Sequence, residues 1–248
     1  MDAERGLGLA FSVVLGLVMG SAVTALVYRV PRGRSWVRGR SACPACGAAL
    51  AVRDLLPVVS FLLARARCRH CGARISWRYP VTELWCALWA ALLYLRVGPA
   101  PALPLLAMWG FLLVALFWID LDVQLLPDVL TLPGALIGVG AALTLPGGAR
   151  HALLGVIVGS GVLWLLGWAY FRVRKIEGMG FGDVKLGLSL GLALGAGAVT
   201  SAFVALLVAM VTGAVAGIVL LMRHRDRRRA FAFGPCLGFG TVVALLLH

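Results

Sequence analysis

The chain has 248 residues, 61% hydrophobic and only 13% charged, where a soluble domain carries about 25% charged residues. That balance excludes a soluble enzyme and describes a polytopic membrane protein. At about 20 residues per span, the length holds about eight helical spans and one small extramembrane module. The net charge of +13 would suggest nucleic acid in a soluble protein. In a membrane protein basic residues are read first as topology signals, so no nucleic-acid partner is expected.

The first apolar run, Leu7 to Val27, is too long for a signal-peptide core and is followed by Tyr28-Arg29, not by small residues. It reads as a retained helix, the first of three expected units: residues 1–28. Residues 29–80 form the second, a polar module, with eleven arginines and one acid, Asp54, between Arg29 and Arg78. Residues 81–248 form the third, with apolar runs near 84–95, 102–120, 129–145, 152–171, 186–197, 199–222 and 231–247. Together with the first run these predict eight helices in an all-α membrane domain. If the polar module is cytoplasmic, alternation places twenty of the 23 Lys and Arg residues on or at the edge of that side. This positive-inside asymmetry predicts both termini outside, and it leaves the basic module facing anionic membrane lipids.

Two acids stand out against this apolar background. Asp120 follows Ala115–Ile119 without polar padding, and Asp183 sits in the glycine-rich string Gly178-Met-Gly-Phe-Gly-Asp-Val-Lys185. Span counting puts both at the cytoplasmic boundary although more than sixty residues separate them. Ionisable groups at the edge of hydrocarbon are costly enough to mark function. Two such carboxylates brought together would share a proton and support general acid–base hydrolysis without a covalent intermediate. Helix-end electrostatics assigns Asp183, at a helix start, as base and Asp120, at a helix end, as acid. Gly180 and Gly182 would shape the loop, with Lys185 beside it. Asp122 reads as a loop or site-lining residue, and Asp128, after Pro127, as a helix N-cap; both support the site.

Cys43-Pro-Ala-Cys46 and Cys68-Arg-His-Cys71, each followed by glycine, have the spacing of two zinc knuckles. Four thiolates would bind structural Zn²⁺ and hold a loop with too little apolar content to fold alone. His70 is expected to be exposed. Cys86 and Cys236, in apolar runs, read as small hydrophobic residues.

These strings occur with Gly20-Ser21 through Tyr28-Arg-Val-Pro31, Arg78-Tyr-Pro80 with Glu83, Ile119 to Asp128 and Phe233-Gly-Pro235. As a set they resemble the type IV prepilin peptidases, the leader-peptidase and N-methyltransferase family of GxGD aspartyl proteases. The resemblance implies that Asp120 and Asp183 are the catalytic pair, in a multi-pass protein of the bacterial inner membrane. It implies as substrate a prepilin or pseudopilin with a short basic leader, cut on the cytoplasmic side after glycine. It further implies methylation of the new N-terminus with S-adenosylmethionine, associated with the cysteine-bearing segment. Thr24 and Val123 stand where the family often has Asn and His. A rival reading from the residues alone is an ion-coupled transporter or channel with a zinc module, which predicts acids deep in the spans and broken helices in matched halves.

Overall fold

The computed structural model of the protein describes residues 3–35, 38–145, 148–175, 180–195, 199–224 and 232–247. Gly178 and Met179 of the glycine-rich string lie outside them, as do Arg225 and Arg227 to Arg229 of the basic count. The described chain is helical, with two isolated antiparallel bridges as its only extended pairings. It folds as two compact units, Met1–Leu103 and Pro104–His248.

In the first unit, α1 (Ala3–Arg29) lies antiparallel to α3 (Arg78–Val97), with the cysteine module and the short α2 (Val59–Leu63) inserted between them. The seam is made of small residues. A side chain at Gly16 would meet the backbone of Cys86 and Ala87, and one at Gly20 would meet that of Glu83. Absent side chains allow backbones to approach closely, which in a membrane replaces the missing hydrophobic drive for association.

The second unit holds α4 (Ala102–Val123), α5 (Asp128–Thr144), α6 (Gly148–Val156), α7 (Val162–Arg174), α8 (Phe181–Gly195), α9 (Val199–His224) and α10 (Gly234–Leu247). A π-turn at Ile157–Gly161 joins α6 to α7 as one long rod. At that joint Gly155 and Gly159 face Gly191 and Gly187, each glycine within a Cβ radius of the opposing backbone. Two small-xxx-small strings thus cross antiparallel. On its other side α8 packs on α5, where Gly138 accommodates Leu192 and Ala193. Trp109 of α4 donates its indole N–H to Ser189 Oγ of α8 at 2.6 Å inside the core. α8 is therefore held from three sides.

All eight apolar runs are helical. Among the described residues five helices are long and apolar enough to cross a membrane: Ala3–Arg32, Arg78–Val97, Ala102–Val123, Gly148–Arg174 and Val199–Val219. The other three runs hold α5, α8 and α10, of 17, 15 and 14 described residues. Five of the eight expected spans thus meet the length requirement within the described residues. α8 begins at Phe181, upstream of the run that predicted it, because the glycine-rich string folds into its first turn.

Candidate active site and metal centre

In the second unit, the chain ends that carry the acids gather together. Asp120 lies three residues before the end of α4 and is only 5% exposed. α4 stops at Gln124, whose φ of 53° is left-handed and whose N–H bonds the Asp120 carbonyl at 2.9 Å. That is the αL stop common at helix C-termini. Leu126, in the following loop, packs against Gly182, where an added Cβ would come within 3.0 Å of it. The start of α5 is tied to the start of α8 by an ion pair, Lys185 Nζ to Asp128 Oδ1 at 2.6 Å.

Asp183 stands in the first turn of α8 and is partly buried. Its N–H bonds the Gly180 carbonyl at 3.1 Å, and its Oδ2 lies over Gly180, at ordinary contact distance from where a Cβ there would stand. The segment that follows Asp120 thus packs on the turn that carries Asp183, through Leu126 against Gly182 and Asp128 against Lys185. No direct hydrogen bond joins the two carboxylates among the described residues.

A third segment completes this end. The N–H of Gly234, the first residue of α10, donates to Asp120 Oδ2 at 2.8 Å. A Cβ at Gly234 would sit 2.7 Å from that same oxygen. Glycine is therefore required by the closeness of the carboxylate. The sequence marked the Phe233-Gly-Pro235 string only through resemblance, and gave no physical signal that it would reach Asp120. This contact also removes the basis for naming acid and base from helix ends. Asp120 is at the C-terminus of α4 but also at the N-terminus of α10, so both aspartates face positive helix ends.

The supporting acids divide. Asp128 is the first residue of α5 and Pro127 occupies the N-cap without a side-chain cap bond. The expected capping role is thus replaced by the bond to Lys185, because the amine lies within reach and forms a charge-assisted contact. Asp122 is exposed near the end of α4. Cys86 and Cys236 are buried, as small hydrophobic residues would be.

In the first unit, the four sulfurs of Cys43, Cys46, Cys68 and Cys71 lie within 4.8 Å of one another, with Cys43 and Cys71 Sγ 4.0 Å apart. A tetrahedral Zn²⁺ with bonds of about 2.3 Å needs sulfurs spaced at about 3.8 Å, so the donor set fits. The two knuckles are copies offset by 25 residues. Cys43 N–H bonds Ala48 O at 2.9 Å and Gly47 N–H bonds Cys43 O at 2.9 Å; Cys68 to Ala73 and Gly72 to Cys68 repeat this at 2.8 and 2.9 Å. Gly47 and Gly72 have matching φ of 73° and 70°. Ten residues of each copy correspond, from the bond of Leu50 N–H to Ser41 O in the first to that of Ile75 N–H to Ala66 O in the second. The backbone N–H groups of Cys46 and Ala45 lower the Cys43 thiol to about 7, and those of Cys71 and His70 lower Cys68. The Ala73 N–H pulls Cys71 down, but the sulfurs around it push it up to about 11. Sulfurs crowded this closely are a donor set awaiting a cation. His70 is exposed beside them.

Beside the knuckles lies a cavity of about 730 Å³, walled by the C-terminal end of α1, the module and the N-terminal end of α3. Ser21, Thr24, Tyr28, Arg34, Tyr79 and Glu83 are among its lining residues. Its volume is in the range of small-molecule sites, roughly 300–1,000 Å³. Sequence reasoning did not anticipate it, since its walls come from three separate stretches.

Family models match the two units almost in register: Bacterial Peptidase A24 N-terminal domain over residues 14–97 and Type IV leader peptidase family over residues 105–218. The chain is 38% identical over 211 residues to a prepilin leader peptidase/N-methyltransferase of Burkholderia pseudomallei (strain K96243), covering 73% of this chain and 67% of the relative. It is 39% identical over 210 residues to the protein of that name from Aeromonas hydrophila, covering 84% and 71%. The corresponding figures for Myxococcus xanthus (strain DK1622) are 42% over 178 residues, 70% and 52%, so the chain spans about half of that relative's length. No solved structure matches the chain.

Proposed function

The chain belongs to the prepilin leader peptidase/N-methyltransferase family of multi-pass membrane enzymes, and on that premise we propose that Asp120 and Asp183 cleave the basic leader from type IV prepilins or pseudopilins. The observation that supports this reading is the packing of the segment after Asp120 on the first turn of α8, with Leu126 against Gly182 and Asp128 paired with Lys185. One carboxylate takes a proton from a water held between the pair while the other protonates the scissile amide, the general acid–base scheme of paired aspartates. Asp120 Oδ2 already accepts the Gly234 N–H, so its catalytic proton is handled at Oδ1. The transporter reading expects acids deep within spans; here they stand at helix ends.

The asymmetry of Lys and Arg supports a site facing the cytoplasm in the bacterial inner membrane, with cleavage after glycine where the pilin helix leaves the bilayer. The four cysteines hold structural Zn²⁺, and the arginines around them lie against anionic lipid. The cavity of the first unit takes S-adenosylmethionine, which when bound supplies an activated methyl group for the new N-terminal amine. Tyr28 and Tyr79 offer aromatic walls, and Ser21 and Thr24 offer hydroxyl groups.

Incubation of the purified protein in detergent with a prepilin tests the proposal. Wild type should remove the leader, and Asp120→Ala and Asp183→Ala should not. Cleavage that survives either substitution overturns the aspartyl assignment, and mass spectrometry of the same product reads methylation.

A further inference from the structure

Glu83 of α3 is only 7% exposed and lines the cavity of the first unit. Its Oε2 accepts the Val58 N–H at 2.7 Å. Val58 is held with φ 59° and ψ −47°, and Val59 N–H bonds the Pro57 carbonyl. That combination is a γ-turn of the rare, strained kind, unfavourable for a β-branched residue. Ser21 of α1 lines the same cavity. The other acid on the cavity wall, Asp54, is paired with Arg69 at 3.1 Å and accepts the Ala51 N–H. Glu83, by contrast, has no ion-pair partner among the described residues.

A buried carboxylate with a hydrogen-bond donor but no cation is costly, and a carboxylate has about four acceptor positions, of which the Val58 N–H fills one. Seven arginines line this cavity, but none forms an ion pair with Glu83 among the described residues; what the carboxylate lacks is a positive charge in direct contact, which can arrive through the cavity it faces. Resting on the methyl-transfer reading above, we propose that Glu83 is the carboxylate that receives the substrate's new N-terminal ammonium and takes one proton from it.

The amine must be neutral before it can act as nucleophile. Transfer of one N–H proton to Glu83 leaves a free lone pair on nitrogen. That pair forms the new C–N bond to the donor's methyl carbon as the C–S bond breaks, and the sulfur keeps the departing electron pair. The product is a methylated ammonium, the donor becomes a neutral thioether, and the proton on Glu83 passes to solvent. The strained turn at Val58 holds the carboxylate in place for this role.

The test uses the full-length protein in detergent, a prepilin and S-adenosylmethionine, with mass spectrometry reading cleaved and cleaved-and-methylated products separately. Glu83→Gln should still cleave and should bind S-adenosylmethionine, measured by calorimetry, within about threefold of wild type. Its methylation rate should fall on the order of 100-fold or more, the usual contribution of a positioned acid–base group. Raising the pH through about 8, where an N-terminal amine loses its proton unaided, should partly restore that rate. A purely structural role would not respond in this way. Methylation at the wild-type rate in Glu83→Gln overturns the proposal. So does a loss of donor binding of tenfold or more, which would make Glu83 the partner of the sulfonium. Should the variant not fold, the wild-type pH profile decides: methylation that follows free-amine titration near pH 8 also overturns it. Absence of methylation by wild type with cleavage intact would instead sink the underlying methyl-transfer reading.

Discussion

Gly234 N–H and Asp120 Oδ2 are joined at 2.8 Å across 114 residues of chain, binding the first residue of α10 to the last turn of α4. The contact fixes the direction of a buried carboxylate and leaves no room for a side chain at residue 234. Gly234→Ala should displace Asp120 by a fraction of an ångström or more. Because misplacement of about 1 Å can cost about 100-fold in rate, cleavage should drop by about that factor. The methylation of a leaderless peptide should be preserved. A cleavage assay on both substrates checks this.

Asp120→Asn and Asp183→Asn keep the shape of each side chain and remove its proton chemistry. Each should lower the rate of leader removal by about 10²–10⁴, the range for loss of a general acid or base. The double variant should be little worse than either single one, since the pair acts as a unit. Single-turnover kinetics on a purified prepilin measures all three.

Stripping the metal tests the module. With Zn²⁺ chelated, four crowded thiols lose the bond that holds the two knuckles together. Methylation should be lost and thiol labelling of Cys43 and Cys68, now buried, should rise to the level of Cys46 and Cys71. Restoring Zn²⁺ should reverse both. Metal analysis alongside labelling provides the check.

Gly159→Leu would press a branched side chain into the backbone of Gly187. Overpacking of this kind costs about 1–3 kcal/mol, felt at the helix that carries Asp183. Thermal denaturation in detergent should show a lowered midpoint, with cleavage falling in step. Gly217, with open space around it, is the control: Gly217→Ala should change neither.

The Lys185 to Asp128 pair is exposed on the carboxylate side. Such pairs contribute about 0–1 kcal/mol, so Lys185→Ala should leave the stability almost unchanged. Its effect should appear in the register of α8 against α5, as a fall in cleavage of a few-fold. The exchanged pair Lys185→Asp with Asp128→Lys should recover part of it.

Hydropathy alone located all eight helical runs, and the two CxxCG strings announced a four-sulfur centre, because both signals are local: one depends on side-chain transfer from water, the other on ligand spacing. The sequence likewise singled out Asp120 and Asp183, since an acid beside uninterrupted apolar residues is conspicuous wherever the chain later goes. Their approach, the seat of Asp120 against Gly234, the exchange of a cap for an ion pair at Asp128, and the turn at Val58 leaning on Glu83 were decided only by tertiary packing. Each depends on which glycine faces which backbone, a relation between distant segments that no single stretch of sequence encodes.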